Sequence, residues 1–148
     1  MTQAKRDETW TRLTGTTDLA DFADCDLVIE AIFEDLEAKR NLFAELDKVC
    51  KPETIFASNT SGLLIADMAS ATKRPERVAG LHFFYPSVIN QLLEVVVTEE
   101  TSWEVADSLM ELSCLAGKIP IKVKDAPGFA VNRFFVPWLN EATRMLGE

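Results

Sequence analysis

Short β-branched runs alternating with helix-spaced apolar residues constrain this chain more than any other feature. Residues 26–32 read Asp-Leu-Val-Ile-Glu-Ala-Ile, too short for a helix and apolar enough for a strand buried on both faces. Behind them, Leu42, Phe43, Leu46 and Val49 recur at three- and four-residue steps. Charged side chains fill most of the other positions, so the spacing predicts an amphipathic helix over Leu36–Val49, closed by Lys51-Pro52-Glu53. The alternation continues with a strand at 54–57, a short helix at 63–69, and strands at 77–82 and Leu92–Val97. Thr101 and Glu104 have capping-box spacing, and Ala106, Leu109, Met110, Leu112 and Leu115 give the helix behind them an apolar stripe ending at Gly117. A strand follows at 119–123 and a turn at 125–129. Val131, Phe134, Phe135, Trp138, Leu139, Ala142, Met145 and Leu146 then repeat at helical spacing up to the last residue. Only the stretch through about Arg12 lacks a pattern and reads as a polar lead-in. Such a succession specifies an α/β domain of three layers with a mostly parallel sheet, ending in a long amphipathic helix.

Composition narrows the function. At 148 residues and 47% hydrophobic content the chain builds the core of one ordinary domain. Fifteen Lys plus Arg against 24 Asp plus Glu give a net charge of -9, which repels a phosphate backbone and argues against nucleic acid as a partner. No apolar run approaches the ~20 residues of a membrane span, and the first residues lack the hydrophobic segment of a signal peptide. A cytoplasmic location away from membranes is therefore expected. Cys25, Cys50 and Cys114 are odd in number, far apart and without C-x-x-C spacing. They are expected to be small buried hydrophobes, with no disulfide and no metal site.

Four places carry groups suited to chemistry. His82 is the only histidine and stands at the end of a predicted strand, where open α/β sheets line their ligand crevice. It is either a general base or a structural histidine. Glu94 lies inside the apolar run Leu92–Val97. Either strand alternation sends it to solvent, or it pairs with a cation such as the His82 imidazolium and fixes that ring's tautomer. Ser58-Asn59-Thr60-Ser61 follows another strand end, open both to helix capping and to binding a hydroxyl or a ribose. Asn132 interrupts the start of the last helix as either a cap or a ligand contact.

Together these segments resemble the 3-hydroxyacyl-CoA dehydrogenase family, the NAD-dependent oxidoreductases of fatty acid β-oxidation. The resemblance rests on residues 26–31 with Glu34, on Ser58-Asn59-Thr60-Ser61, on Leu81-His82-Phe83-Phe84, on Leu93-Glu94-Val95, and on residues 124–129 through Asn132-Arg133. It implies that His82 removes the proton of the substrate 3-hydroxyl, that Glu94 orients His82, and that Ser61 and Asn132 hydrogen-bond the substrate oxygen of an acyl-CoA. It further implies that Ala31, Ile32, Glu34, Lys39 and Asn59 contact the NAD cofactor, the first two through backbone and Lys39 and Asn59 through polar groups. The sequence departs from the family at Tyr85, where the family usually carries Asn.

No G-x-G-x-x-G occurs, so the backbone cradle that anchors a dinucleotide diphosphate is missing. Residues 1–125 are accordingly expected to form a partial NAD-binding Rossmann-like domain, and 126–148 the first helix of a truncated C-terminal dehydrogenase domain. Weak or absent NAD binding follows as an expectation, as do an open sheet edge and a bare apolar face on the last helix. Three functions fit: a 3-hydroxyacyl-CoA dehydrogenase weak or inactive alone, a non-catalytic module that self-associates, exchanges elements in a dimer, or complements a separate glycine-rich half, or a related 3-hydroxy-acid dehydrogenase acting on a smaller non-CoA substrate.

Overall fold

The computed structural model describes residues 2–147; Met1 and Glu148, the latter included in the expected final helix, lie outside the described residues. Strands β1 (Leu27–Glu30), β2 (Ile55–Ser58), β3 (Val78–Phe83), β4 (Leu92–Val97) and β5 (Ile119–Lys124) form one sheet in the order β1-β2-β3-β4-β5. Neighbours are parallel except β3 and β4, which a short loop joins as an antiparallel pair. The α/β class, the mostly parallel sheet and the covering of both faces match the sequence expectation.

Period-two alternation sorts the strand residues into two cores. Val28, Phe56, Val78 and Val96 meet Phe43 and Leu46 of α2 (Leu36–Val49) and Ile65 and Met68 of α3 (Ile65–Ala69). Their neighbours Ala57, Ala79, Leu81, Leu93 and Val95 meet Val105 and Leu109 of α4 (Trp103–Leu115). Beyond the sheet, α5 (Val131–Met145) buries none of its residues and leaves Phe134 80% and Trp138 64% exposed. β1 ends the sheet with an unpaired edge.

Four expectations need correction. The lead-in is a helix, α1 (Gln3–Trp10), capped by Thr2 Oγ1 and braced by a Gln3–Asp7 side-chain bond. It has no buried residue, so apolar periodicity is blind to it. The N-cap of α4 is Ser102, whose Oγ accepts from the Val105 N–H, whereas Thr101 Oγ1 donates to the Val78 carbonyl and ties the loop to β3. The buried face of α4 runs through Val105, Ala106, Leu109 and Ser113; Leu112 and Leu115 face outward because the sheet meets the helix one position earlier in its turn. Of the cysteines only Cys50 is buried; Cys25 is half-buried and Cys114, on the outer side of α4, is exposed.

Candidate active site

The sheet register alone brings His82 and Glu94 together. They are direct cross-strand partners on β3 and β4, so their side chains leave the sheet on the same face. His82 Nδ1 lies 2.7 Å from Glu94 Oε2, and both residues are buried. The Phe84 and Phe129 rings flank the imidazole at 4.5 and 5.6 Å. Among the described residues Nε2 has no protein partner and no partnerless side-chain nitrogen or oxygen is sealed, so Nε2 reaches the surface. A carboxylate on Nδ1 and a free Nε2 make an imidazole set to accept a proton.

Glu94 has a second task. Its Oε1 accepts from the Ala130 and Val131 N–H groups, both at 2.9 Å, which are the orphan donors at the start of α5. Ala130 offers no side-chain cap, so a carboxylate from the sheet replaces one. Solvated alternation is thus ruled out for Glu94: it is fully buried, with both oxygens committed. The turn before α5 places Gly128 at φ 75° and Phe129 at φ 47°. A left-handed non-glycine residue costs about 1–2 kcal/mol. Burial of a phenylalanine side chain contributes about 1.5–3 kcal/mol, enough to offset it.

In the first turn of α5, Asn132 Nδ2 donates to the Ser61 carbonyl at 2.9 Å, joining the β2 loop to the helix that Glu94 anchors. Ser61 Oγ carries no protein partner. Asn59 Oδ1 accepts from the Phe83 N–H at 2.8 Å and so ties the ends of β2 and β3, while its Nδ2 stays unpartnered. Ala31 and Asn59, with Ile29, Phe83, Tyr85 and Ser87, line a pocket of about 330 Å³ at the carboxyl ends of β1, β2 and β3. Open α/β sheets hold their ligands at that end.

A buried ionic network holds the loops of this pocket. Glu30 Oε1 accepts from the Ile32 N–H and from Lys39 Nζ, both at 2.6 Å, and Glu30 Oε2 accepts from Ser58 Oγ at 2.5 Å. Lys39 Nζ also reaches Glu34 Oε2 and the Ile32 carbonyl, each at 3.3 Å. Lys39 is 1% exposed, with its ammonium set between the Glu30 and Glu34 carboxylates and the Ile32 carbonyl. The side chain turns inward and fixes the loop that carries Ala31, Ile32 and Glu34. Glu34 Oε1 accepts from Thr60 Oγ1 at 2.5 Å and from the Ser61 N–H. Burial pushes the Glu34 carboxyl up, but these hydrogen bonds and the Lys39 charge outweigh it and hold the group below its ordinary value. Glu30 and Phe129 are the members to which sequence reasoning gave no role, while Ser58 and Thr60, named there as part of one polar cluster, turn to Glu30 and Glu34. Glu30 had a signal, a lone carboxylate in an apolar strand run like that of Glu94. Among the described residues no group of His, Cys, Asp and Glu side chains is arranged to hold a metal ion.

The sheet order and the layers that cover it define an α/β domain of Rossmann type. Residues 1–126 match the family model for the 3-hydroxyacyl-CoA dehydrogenase NAD binding domain, and the chain belongs to that family. It is 44% identical over 146 residues to the 3-hydroxybutyryl-CoA dehydrogenase of Clostridioides difficile, covering 99% of this chain and 52% of the relative. Among solved structures it is similar to the 3-hydroxybutyryl-CoA dehydrogenase of Escherichia coli K12, with TM-score 0.96 and 45% identity over 99% of this chain and 31% of that one. The (S)-3-hydroxybutyryl-CoA dehydrogenase of Ralstonia eutropha superposes with TM-score 0.96 at 37% identity, over 99% and 52%. The chain therefore spans about half the length of the curated relative it matches.

Proposed function

We propose that this chain carries the proton-transfer half of an NAD-dependent 3-hydroxyacyl-CoA dehydrogenase, acting on a 3-hydroxyacyl-CoA of fatty acid β-oxidation in the cytoplasm. The observation that carries the reading is the 2.7 Å contact between His82 Nδ1 and Glu94 Oε2, with Nε2 reaching the surface. Nε2 takes the proton of the substrate 3-hydroxyl while Glu94 holds the tautomer and stabilises the imidazolium. Ser61 and Asn132 bind the substrate oxygen, and their own bond keeps them on one side of the base. The residues fit the nicotinamide end of the cofactor: Ile29, Ala31 and Phe83 give the pocket apolar walls, and the free Asn59 Nδ2 offers a donor. Ile32 and Glu34 stand on the adjoining loop that Lys39 braces. When bound, NAD supplies the ring that accepts hydride from C3. With no glycine-rich turn in this sequence, the diphosphate finds no cradle here and binding is weak.

The bare Phe134 and Trp138 on α5 and the open edge of β1 favour a second reading: a module that self-associates, exchanges elements in a dimer, or complements a glycine-rich half, without turnover. Oxidation of NADH with acetoacetyl-CoA, followed for the parent and His82→Ala at matched circular dichroism, separates the two. The dehydrogenase reading expects the variant to lose about 10²- to 10⁴-fold in rate. Equal rates, or a parent that neither turns over nor binds NADH in calorimetry, would leave the module.

A further inference from the structure

We infer that Phe129 is a positioning residue for the His82–Glu94 pair, acting through both members at once. Its backbone is left-handed, φ 47°, directly after Gly128 at φ 75°. Ala130 after Phe129 is right-handed, φ -101° and ψ -52°, and a left-handed residue followed by a right-handed one turns successive amides toward one point, the geometry that holds an anion. The point here is Glu94 Oε1, which accepts from the Ala130 and Val131 N–H groups immediately after Phe129. Its side chain turns the other way, is buried, and sets its ring edge-on to the imidazole at 5.6 Å. One residue thus fixes the carboxylate by its backbone and the ring by its side chain. A left-handed position favours glycine or asparagine, so a phenylalanine there points to a demand made by its neighbours rather than by the turn. Phe84 closes the imidazole from another side at 4.5 Å, but it lies just past the end of β3 and gives Glu94 no hydrogen bond.

The proposal rests on the dehydrogenase reading only for its effect on turnover. The ring geometry is testable alone, because His82 is the only histidine and its ring nitrogens give one unambiguous pair of signals in long-range proton–nitrogen correlation. The parent is expected to show the single tautomer with the proton on Nδ1. Phe129→Gly relieves the backbone and deletes the ring, so the nitrogen signals should converge toward the average of two tautomers. Phe129→Leu keeps bulk without the aromatic edge and should give a partial shift, and Phe129→Tyr should restore the parent pattern. Leu109→Ala, on the opposite face of the sheet, should lower stability and leave the pattern untouched. Where turnover is present, Phe129→Gly should reduce kcat about a hundredfold with KM nearly unchanged.

Parent-like nitrogen signals in both Phe129→Gly and Phe129→Leu overturn the proposal. If Phe129→Gly fails to fold, Phe129→Leu decides, and a parent pattern there overturns it equally. A parent chain that holds the Nδ1–H tautomer yet never turns over defeats the dehydrogenase reading and leaves the positioning role standing.

Discussion

The two faces of the sheet are built from the same five strands and differ in kind. The face toward α4 is closed by Ala57, Ala79, Leu81, Leu93, Val95, Val105 and Leu109, without a buried charge. The face toward α2 and α3 begins equally apolar but ends, at the carboxyl edge of β1, β2 and β3, in Glu30, Lys39, Ser58, His82 and Glu94. Parity alone separates them. Residues 28, 30, 56, 58, 78, 80, 82, 94 and 96 share one side, so an inserted or deleted strand residue would carry the whole set to the wrong face. The difference teaches that the side toward α4 supplies stability and, at its rim, the apolar walls Ile29 and Phe83 of the pocket, whereas the side toward α2 and α3 supplies stability plus a buried polar network.

Breaking the polar face should cost most. Lys39→Met leaves the buried Glu30 carboxylate without its cation, and loss of one partner of a buried pair costs about 3–5 kcal/mol. Urea denaturation of parent and variant measures it, and a loss below about 1 kcal/mol would mean that water reaches Glu30 and that the two faces are energetically alike. On the apolar face, Leu109→Ala should cost about 3 kcal/mol from lost burial and the cavity left behind. The same denaturation series checks it. If the Leu109 variant also slowed NADH oxidation, the separation between a stabilising face and a working face would fail. Ser58→Ala comes next, since its Oγ donates to Glu30 Oε2 and accepts from the Thr60 N–H. Leaving a buried acceptor short of a donor costs about 1–3 kcal/mol. Its ratio to the Lys39 loss sharpens the comparison by showing how much of the network is charge and how much is hydrogen bonding.

Legibility in the sequence followed the same divide. Apolar periodicity marked α2 over Leu36–Val49 and β4 over Leu92–Val97 with the bounds they have, because burial of one stripe or run defines both. It missed α1, whose stability is local and polar, and it rotated the stripe of α4 toward Leu112 and Leu115, since nothing in one helix says where the sheet will lie. Two contacts among the candidate residues were within reach of the sequence as residue types: His82 meets Glu94, and Asn132 meets Ser61. The network behind them was not. Glu30 meets Ser58 across 28 positions, and Glu94 meets Val131 across 37. Spacing within a segment carries no trace of such pairs. Lys39 shows the same limit, because its position on α2 allowed an outward reading and only the carboxylates of Glu30 and Glu34 draw it in.

The smallest expected effect tests where the polar face ends. Glu34 is the rim of the network: its side chain is 48% exposed, yet it accepts from Thr60 and Ser61 and faces Lys39. Its carboxyl is held below the ordinary value, so in the folded protein it gives up its proton more readily than in the unfolded chain. Such a group adds stability above its unfolded pKa, and that contribution disappears as the pH falls through its lower folded value. Glu34→Gln should therefore lose less than about 1 kcal/mol at neutral pH, in the range of solvent-screened pairs. It should also show a shallower decline in melting temperature than the parent as the pH is lowered through the carboxylate range. Parallel acid limbs in the two proteins would mean that the Thr60 and Ser61 bonds form no better to the carboxylate than to the amide. The electrostatic face would then stop at Lys39, with the Ser61 loop held by Asn132 and α5 alone.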